Sequence, residues 1–280
     1  MKYKIINKFL SKNLCAKLIN DANKILADNN KFSIHGGRVA LTSSNIDFFK
    51  LLENSESWKN LVNKVSSEEF FQFCCKELDI KNHKFKTTNF LNKSKISRFE
   101  KLYKEMNNKP LLNFKSSQVI KYLLFRLYKF IKMFFKMKLL RLKSLPVELL
   151  YDYSTALNGY KREIHRDSDE RIIVFLLYFN KISEDAEGGN LEFYKLKNEN
   201  ISKFNSQPNE EDCLVVDKIS PDDGKLVIFR NDDTSYHAVS EMKNNKITRH
   251  FLYGGFTLLD GKNPFIKNSN YLRTNFQTYY

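Results

Sequence analysis

The chain has 280 residues, 42% of them hydrophobic, with 24 Phe and a formal net charge of +15 at pH 7. That length allows one large domain or two small ones around a sizeable core, and the composition fits a globular protein. No stretch approaches the roughly 18 uncharged apolar residues of a spanning helix. The N-terminus, Met1-Lys2-Tyr3-Lys4-Ile5-Ile6, lacks the apolar run of a signal peptide. The charge is unevenly spread: residues 1–150 carry 30 Lys and Arg against 12 Asp and Glu, and residues 151–280 carry 17 against 20. A basic first half points to nucleic acid or an anionic membrane surface. Set against this, 37 of the 47 basic residues are Lys, a bias that an AT-rich genome produces without any binding role. Cys15, Cys74, Cys75 and Cys213 form no CxxC pair and no Cys/His metal spacing, which reads as reduced thiols in a cytosolic setting.

In chain order, residues 4–10 read as a short strand or lead-in. Ser11-Lys12-Asn13 then starts a helix through Ala27, with Leu14, Leu18, Ile19, Ala22 and Ile25 at helical spacing. Gly36-Gly37 marks a turn beside His35, a loop residue, and Val39–Leu41 reads as a strand. The pattern is helical from Ile46 to Leu78, with a helix start at Ser66-Ser67-Glu68-Glu69. There Phe70, Phe71, Phe73, Cys74 and Leu78 face inward as core. Residues 79–115 are rich in Lys and Asn and read as loops and a short helix, with Phe85–Asn92 as an alternative strand. Residues 116–145 contain eight basic residues and no acid between Lys121 and Lys143. On a helix, Lys121, Lys129, Lys132, Lys136 and Lys143 share one narrow face, with Phe and Leu covering much of the rest. Such a segment either packs on the rest of the fold with its Lys stripe in water or lies in an anionic membrane interface, with nucleic acid ranking lower. Pro146 ends it.

Beyond residue 147 the reading turns to β. Candidate strands are Val147–Ser154, Ile172–Phe179, Leu191–Lys195, Leu214–Ile219, Leu226–Arg230, His237–Ser240 and Ile247–Phe256. Residues 197–213 read as a polar loop. In the last strand Ile247, Arg249, Phe251 and Tyr253 share a face, which places Arg249 inside a barrel if the apolar side chains are inside. His165 and Asp167 stand two residues apart in strand-like sequence, so their side chains would point the same way. His237 offers a third ligand. Two His and one carboxylate on one side of a metal, with open positions opposite, suit a non-haem Fe(II). Singly, each of these residues is more often a packed or surface side chain; the weight lies in the ordered set.

That set runs His165-x-Asp167, Arg171, the apolar run Ile172–Phe179 ending in Asn180, Gly188-Gly189-Asn190-Leu191-Glu192-Phe193, Pro221–Phe229, His237 and Arg249. It resembles the 2-oxoglutarate/Fe(II)-dependent oxygenases, in particular the prolyl 4-hydroxylase-like branch, over roughly residues 147–258. The segment Asn7–Asn20 also resembles the opening helix of many members. The resemblance implies an α+β chain built on a double-stranded β-helix, a jelly-roll barrel at residues 147–260. A supporting helical region with the basic insertion would fill 1–146, and 261–280 would form a C-terminal extension. It implies iron held by His165, Asp167 and His237, which would form the catalytic centre. Arg249 would pair with the distal carboxylate of 2-oxoglutarate, with Tyr178 and Tyr153 beside it and Tyr151 competing with Tyr153.

The cofactors implied are Fe(II) and 2-oxoglutarate, with ascorbate as a reductant; the partners are 2-oxoglutarate, O2 and an unidentified substrate. The expected reaction is hydroxylation of a peptidyl proline, amino acid, sugar or lipid with release of succinate and CO2. In a related halogenating chemistry a small residue replaces the carboxylate, so Asp167 points to oxygen insertion. The alternatives are a non-catalytic jelly-roll module recruited to an anionic membrane surface by residues 116–145, and a nucleic-acid-directed oxygenase. The compartment expected is the cytoplasm, peripheral to a membrane if 116–145 binds one.

Overall fold

A computed structural model describes residues 1–27, 33–34, 38–43, 46–80, 85–87, 145–198, 206–258 and 263–267. The chain opens with strand β1 (Tyr3–Ile6) and helix α1 (Lys12–Ala27), followed by β2 (Ser33–Ile34) and β3 (Arg38–Thr42). Helices α2 (Ile46–Asn54), α3 (Glu56–Val65) and α4 (Glu68–Glu77) come next, then β4 (Phe85–Thr87). The remaining strands are β5 (Leu145–Ala156), β6 (Arg162–His165), β7 (Arg171–Tyr178), β8 (Leu191–Leu196), β9 (Cys213–Ile219), β10 (Leu226–Arg230), β11 (Tyr236–Val239) and β12 (Arg249–Leu258).

The helix starts follow from side chains that take the place of missing helical acceptors. Ser11 accepts from the Leu14 amide, Ser55 from that of Trp58 and Ser67 from that of Phe70. The large sheet runs β1-β10-β7-β12-β5-β3-β2, with β4 parallel to β5 at its edge, and the small sheet runs β6-β11-β8-β9. From β5 onward the chain alternates between the two: β5 in the large, β6 in the small, β7 in the large, β8 and β9 in the small, then β10, β11 and β12 in turn. This alternation closes two antiparallel sheets into the double-stranded β-helix expected from the resemblance.

Period-two alternation sorts each strand of the large sheet between two cores. Phe175 and Leu177 of β7, Leu226 and Ile228 of β10, and Leu252 and Phe256 of β12 face the helices. Val174, Leu176 and Tyr178, Val227 and Phe229, and Phe251 face the barrel interior. Strands buried on both faces read as continuous apolar runs, as Ile172–Phe179 does. The helical layer is keyed by Trp58, fully buried, whose indole N–H donates to the Leu18 carbonyl at 2.8 Å. Its ring meets Phe48, Tyr153 and Phe179 edge-on.

Within the described residues the expected elements keep their type and move at several ends. The helical run 46–78 is three helices, broken at Ser55 and Ser66-Ser67. Leu145, placed at the end of the basic helix, instead opens β5, and Pro146 stands within that strand opposite Lys86. A sheet edge tolerates proline, which donates no ladder hydrogen bond. The basic segment 116–144, the turn at Gly36-Gly37 and residues 88–92 lie outside the described residues. No described helix is long and apolar enough to cross a membrane. Residues before 145 are more than a helical support, because β1 pairs with β10 and β3 with β5 in the barrel's own sheet.

Gly254 shows how tightly the central strand is packed. A Cβ there would lie 2.3 Å from the Phe175 Cζ. Gly254→Ala is expected to cost about 1–3 kcal/mol through overpacking. Chemical denaturation checks this, and a double-mutant cycle with Phe175→Leu should show non-additive coupling between the two sites.

Candidate metal and co-substrate site

His165 is the last residue of β6, at the edge of the small sheet, and His237 lies directly opposite it on β11. Their rings sit 4.3 Å apart between centroids. Asp167 is not on a strand, as the i, i+2 reading supposed; it lies in the loop from β6 to β7. That loop is held by buried groups. The Asn231 side-chain amide, fully buried, donates to the carbonyls of Ser168 at 2.8 Å and Arg171 at 2.9 Å. Arg166, also buried, pairs with Asp169 and Asp233 at 3.3 and 3.5 Å. The loop therefore returns the Asp167 carboxylate to the two histidines. One ligand atom from each of His165, Asp167 and His237 lies within 4.8 Å of the others, close enough to hold one metal ion.

Each ligand has one atom tied and one atom left over. His165 Nδ1 bonds the Glu163 carbonyl at 2.8 Å, and His237 Nδ1 bonds the Ser235 carbonyl at 3.0 Å. A carbonyl only accepts, so both Nδ1 atoms carry the proton and both Nε2 atoms keep a lone pair. Burial, reinforced by the neighbouring His237, pushes the His165 imidazole down to about 3. Burial likewise lowers His237, against the pull of Asp167. For Asp167 burial alone would raise the carboxyl; Arg171 first, then the two histidines, outweigh it and hold it below the usual carboxylate range. Asp167 Oδ1 accepts from Tyr253 Oη and Arg171 Nη1. Asp167 Oδ2 is buried with no hydrogen-bond partner and lies 3.7 Å from His237 Nε2. An orphaned carboxylate oxygen facing two imidazole lone pairs is a donor set that a divalent cation completes.

Arg249, the first residue of β12, is fully buried. It donates to the Gly189 carbonyl at 2.8 Å and to Tyr178 Oη at 3.3 Å, and its Nε has no partner. Its guanidinium also lies over the rings of Tyr178 and Phe251, at 5.1 and 4.9 Å. Among the described residues no carboxylate pairs with it. Ile247, expected on the same face, is 48% exposed and lies before the strand, which starts at Arg249.

Tyr153 stands apart. It lies in the helix-side core, packs edge-on against Trp58 and tilted against Phe179, and bonds His250 Nδ1 at 2.6 Å. Tyr151 shares that core, since residues two apart on β5 share a face. The aromatic residue that does line the barrel from this side is Tyr160, at 5.9 Å from the Arg249 guanidinium and hydrogen-bonded to Arg38. Tyr160 follows the turn residue Gly159, and its proximity to Arg249 has no sequence signal. A cavity of about 390 Å³ opens beside His165, lined by residues 162–165 and 207–210. Part of the polar loop expected at 197–213 thus borders the site, and Ser206 ties it to the Arg166 amide.

A double-stranded β-helix with a His-Asp-His cluster at one end defines a class of metal-dependent barrel. Residues 150–254 match the family model described as the 2OG-Fe(II) oxygenase superfamily. The match runs from within β5 to within β12, so the barrel resembles those of the 2-oxoglutarate/Fe(II) oxygenases, a family whose cofactors are Fe(II) and 2-oxoglutarate. In structure the chain is similar to a prolyl-4-hydroxylase from Pseudomonas putida, at 13% identity and TM-score 0.41, over 92% of this chain and 94% of that one. It is also similar to a prolyl hydroxylase from Trichoplax adhaerens in complex with a hypoxia inducible factor peptide fragment, at 14% identity and TM-score 0.42, over 91% and 83%. A prolyl 4-hydroxylase from Phytophthora capsici aligns at 12% identity and TM-score 0.47, over 94% and 61%. No curated protein sequence matches the chain. Neither a membrane nor a nucleic-acid partner is supported by these comparisons.

The neutral imidazoles make a pH prediction. With His165 near 3 and both His237 and Asp167 also lowered, proton competition with a metal sets in below the ordinary histidine value of about 6.5. Divalent-metal affinity should stay within a few-fold from pH 8 to 5.5, measured by anaerobic calorimetry. Two ordinary histidines would instead make it fall steeply below about 6.5.

Proposed function

We propose that the enzyme is a hydroxylase in which His165, Asp167 and His237 hold Fe(II) and Arg249, with Tyr178, binds 2-oxoglutarate. The observation that carries this is the buried Arg249 guanidinium with an unpartnered Nε and, among the described residues, no carboxylate paired with it, inside the barrel that also gathers the three ligand atoms. A buried uncompensated charge costs several kcal/mol, and an anionic ligand removes that cost. The guanidinium fork suits a carboxylate through two parallel hydrogen bonds. On β12, Arg249 and Tyr253 share a face four residues apart, about 13 Å along the strand. Tyr253 touches Asp167, so one face of β12 carries both the anion-binding side chain and a partner of the metal ligand.

The bound iron supplies activation of O2, coupled to oxidation of 2-oxoglutarate to succinate and CO2. The chain's own residues do the rest. Gly189 and Tyr178 fix the guanidinium plane, the two Nδ1–H groups aim the Nε2 lone pairs, and the apolar interior around Val174, Leu176 and Phe229 keeps water out. Iron held by these three residues would keep its remaining positions for co-substrate and O2. The product is the hydroxylated substrate, which we place among peptidyl proline, amino acid, sugar and lipid. The four cysteines are free and buried, which supports the proposed reducing, cytoplasmic setting.

Purified protein with Fe(II), 2-oxoglutarate and O2 is expected to form succinate, and Asp167→Ala to form none. Arg249→Gln should raise the KM for 2-oxoglutarate about 10–100-fold, the scale of a lost charge-assisted hydrogen-bond pair. No succinate, together with no binding of Fe(II) or 2-oxoglutarate in an anaerobic titration, would overturn the reading and favour a binding module.

A further inference from the structure

We propose that Arg171 and Tyr253 are positioning residues that immobilise one oxygen of Asp167 and thereby present only the other to the metal. The inference rests on the metal site proposed above. The two side chains reach Asp167 from different strands, Arg171 from the first residue of β7 and Tyr253 from the middle of β12. Tyr253 Oη donates to Asp167 Oδ1 at 2.8 Å, and Arg171 Nη1 donates to the same oxygen at 3.1 Å. Arg171 Nη1 also donates to Tyr253 Oη, and the guanidinium lies 5.0 Å from the Tyr253 ring centroid. All three groups thus form a closed triangle on one oxygen, while Oδ2 is buried without a partner.

That asymmetry separates this arrangement from an ordinary structural ion pair. A buried Arg–carboxylate pair that serves stability alone would use both oxygens, since leaving one unmade costs about 1–3 kcal/mol. A free carboxylate also rotates about its last torsion and exchanges its oxygens or takes a metal through both. Two donors on Oδ1 remove that freedom, so Asp167 offers a single atom and the coordination positions opposite stay open.

The clamp is itself anchored. The Arg171 carbonyl accepts from the Asn231 and Asn263 side chains at 2.9 and 2.7 Å. Space for the Arg171 side chain comes from Gly255, where a Cβ would stand 2.5 Å from Arg171 Cδ. A side chain at position 255 would push the guanidinium away from Asp167 without altering any group of the clamp.

Co(II) titration of chelator-treated protein tests this, with affinity and the visible absorption band as readouts and thermal melting as the control for folding. Wild type should bind Co(II). Tyr253→Phe should bind about tenfold more weakly and Arg171→Gln about 10–100-fold more weakly, each with an altered band as Asp167 is released. Arg171→Lys should recover part of the affinity, and Gly255→Ala should weaken binding with the clamp groups intact. Variants that melt at lower temperature yet keep the wild-type affinity and band would overturn the positioning role and leave an ordinary structural pair. If wild type itself binds no Co(II), the metal site fails, and this inference with it; binding by wild type with no change in the variants sinks the clamp alone.

Discussion

The barrel interior holds polar atoms that the chain itself leaves unsatisfied, and much of the structure serves to keep them so. Asp167 Oδ2 and Arg249 Nε are buried with no partner. The two Nε2 lone pairs stand free because the Nδ1 atoms are committed to carbonyls. Each such group opposes folding by roughly 1–3 kcal/mol, more where it is charged. Water would satisfy them, and so would a rotated side chain. The fold must therefore exclude the first and block the second, and unmade bonds of this kind are what a ligand then completes.

Blocking rotation is the task of the loops at the barrel mouth. Asn231 donates to the loop carbonyls around Asp167, and Asp232 accepts from Thr234 in the turn that leads to His237. Arg166 pairs with both Asp169 and Asp233 within the same corner. Most of these buried polar atoms find partners within the corner, in contrast to the ligand atoms they surround. The outcome is a rigid polar ring with a few deliberate gaps.

Stability to support those gaps comes from the other face of the large sheet. β12 pairs along its length with both β5 and β7, and their outward side chains meet a dense aromatic layer on α2, α3 and α4. That layer buries Trp58, Phe48 and Phe71 completely, at about 1.5–3 kcal/mol for each large side chain. Helical packing and site chemistry thus occupy opposite sides of the same strands. A strand residue moved by one position would exchange one role for the other.

That exchange explains which parts of the site were legible. The apolar run Ile172–Phe179 and the helix starts at Ser11 and Ser67 follow from local rules of capping and period; Arg249 was placed inside the barrel only on the condition that its strand face points inward, which Phe251 meets. His165, Asp167 and His237 were found through their order along the chain; their convergence was right, although Asp167 reaches the site from a loop. Tyr153 was assigned to the wrong side of β5, because neither its period nor its spacing to His165 says which face of a two-sided strand looks inward. Tyr160 and Tyr253 carried no signal of their contacts with Arg249 and Asp167, since both contacts join segments far apart in sequence.

By itself the sequence determined the types of most described elements, the period-two alternation along the strands and the donor atoms available to a metal, because these depend on neighbours within a few residues; the jelly roll was implied by the family resemblance. Only the tertiary structure decided which face of each strand looks into the barrel and which oxygen of Asp167 is free. Those outcomes depend on the register between β5, β7 and β12 and on the side chains that register brings together.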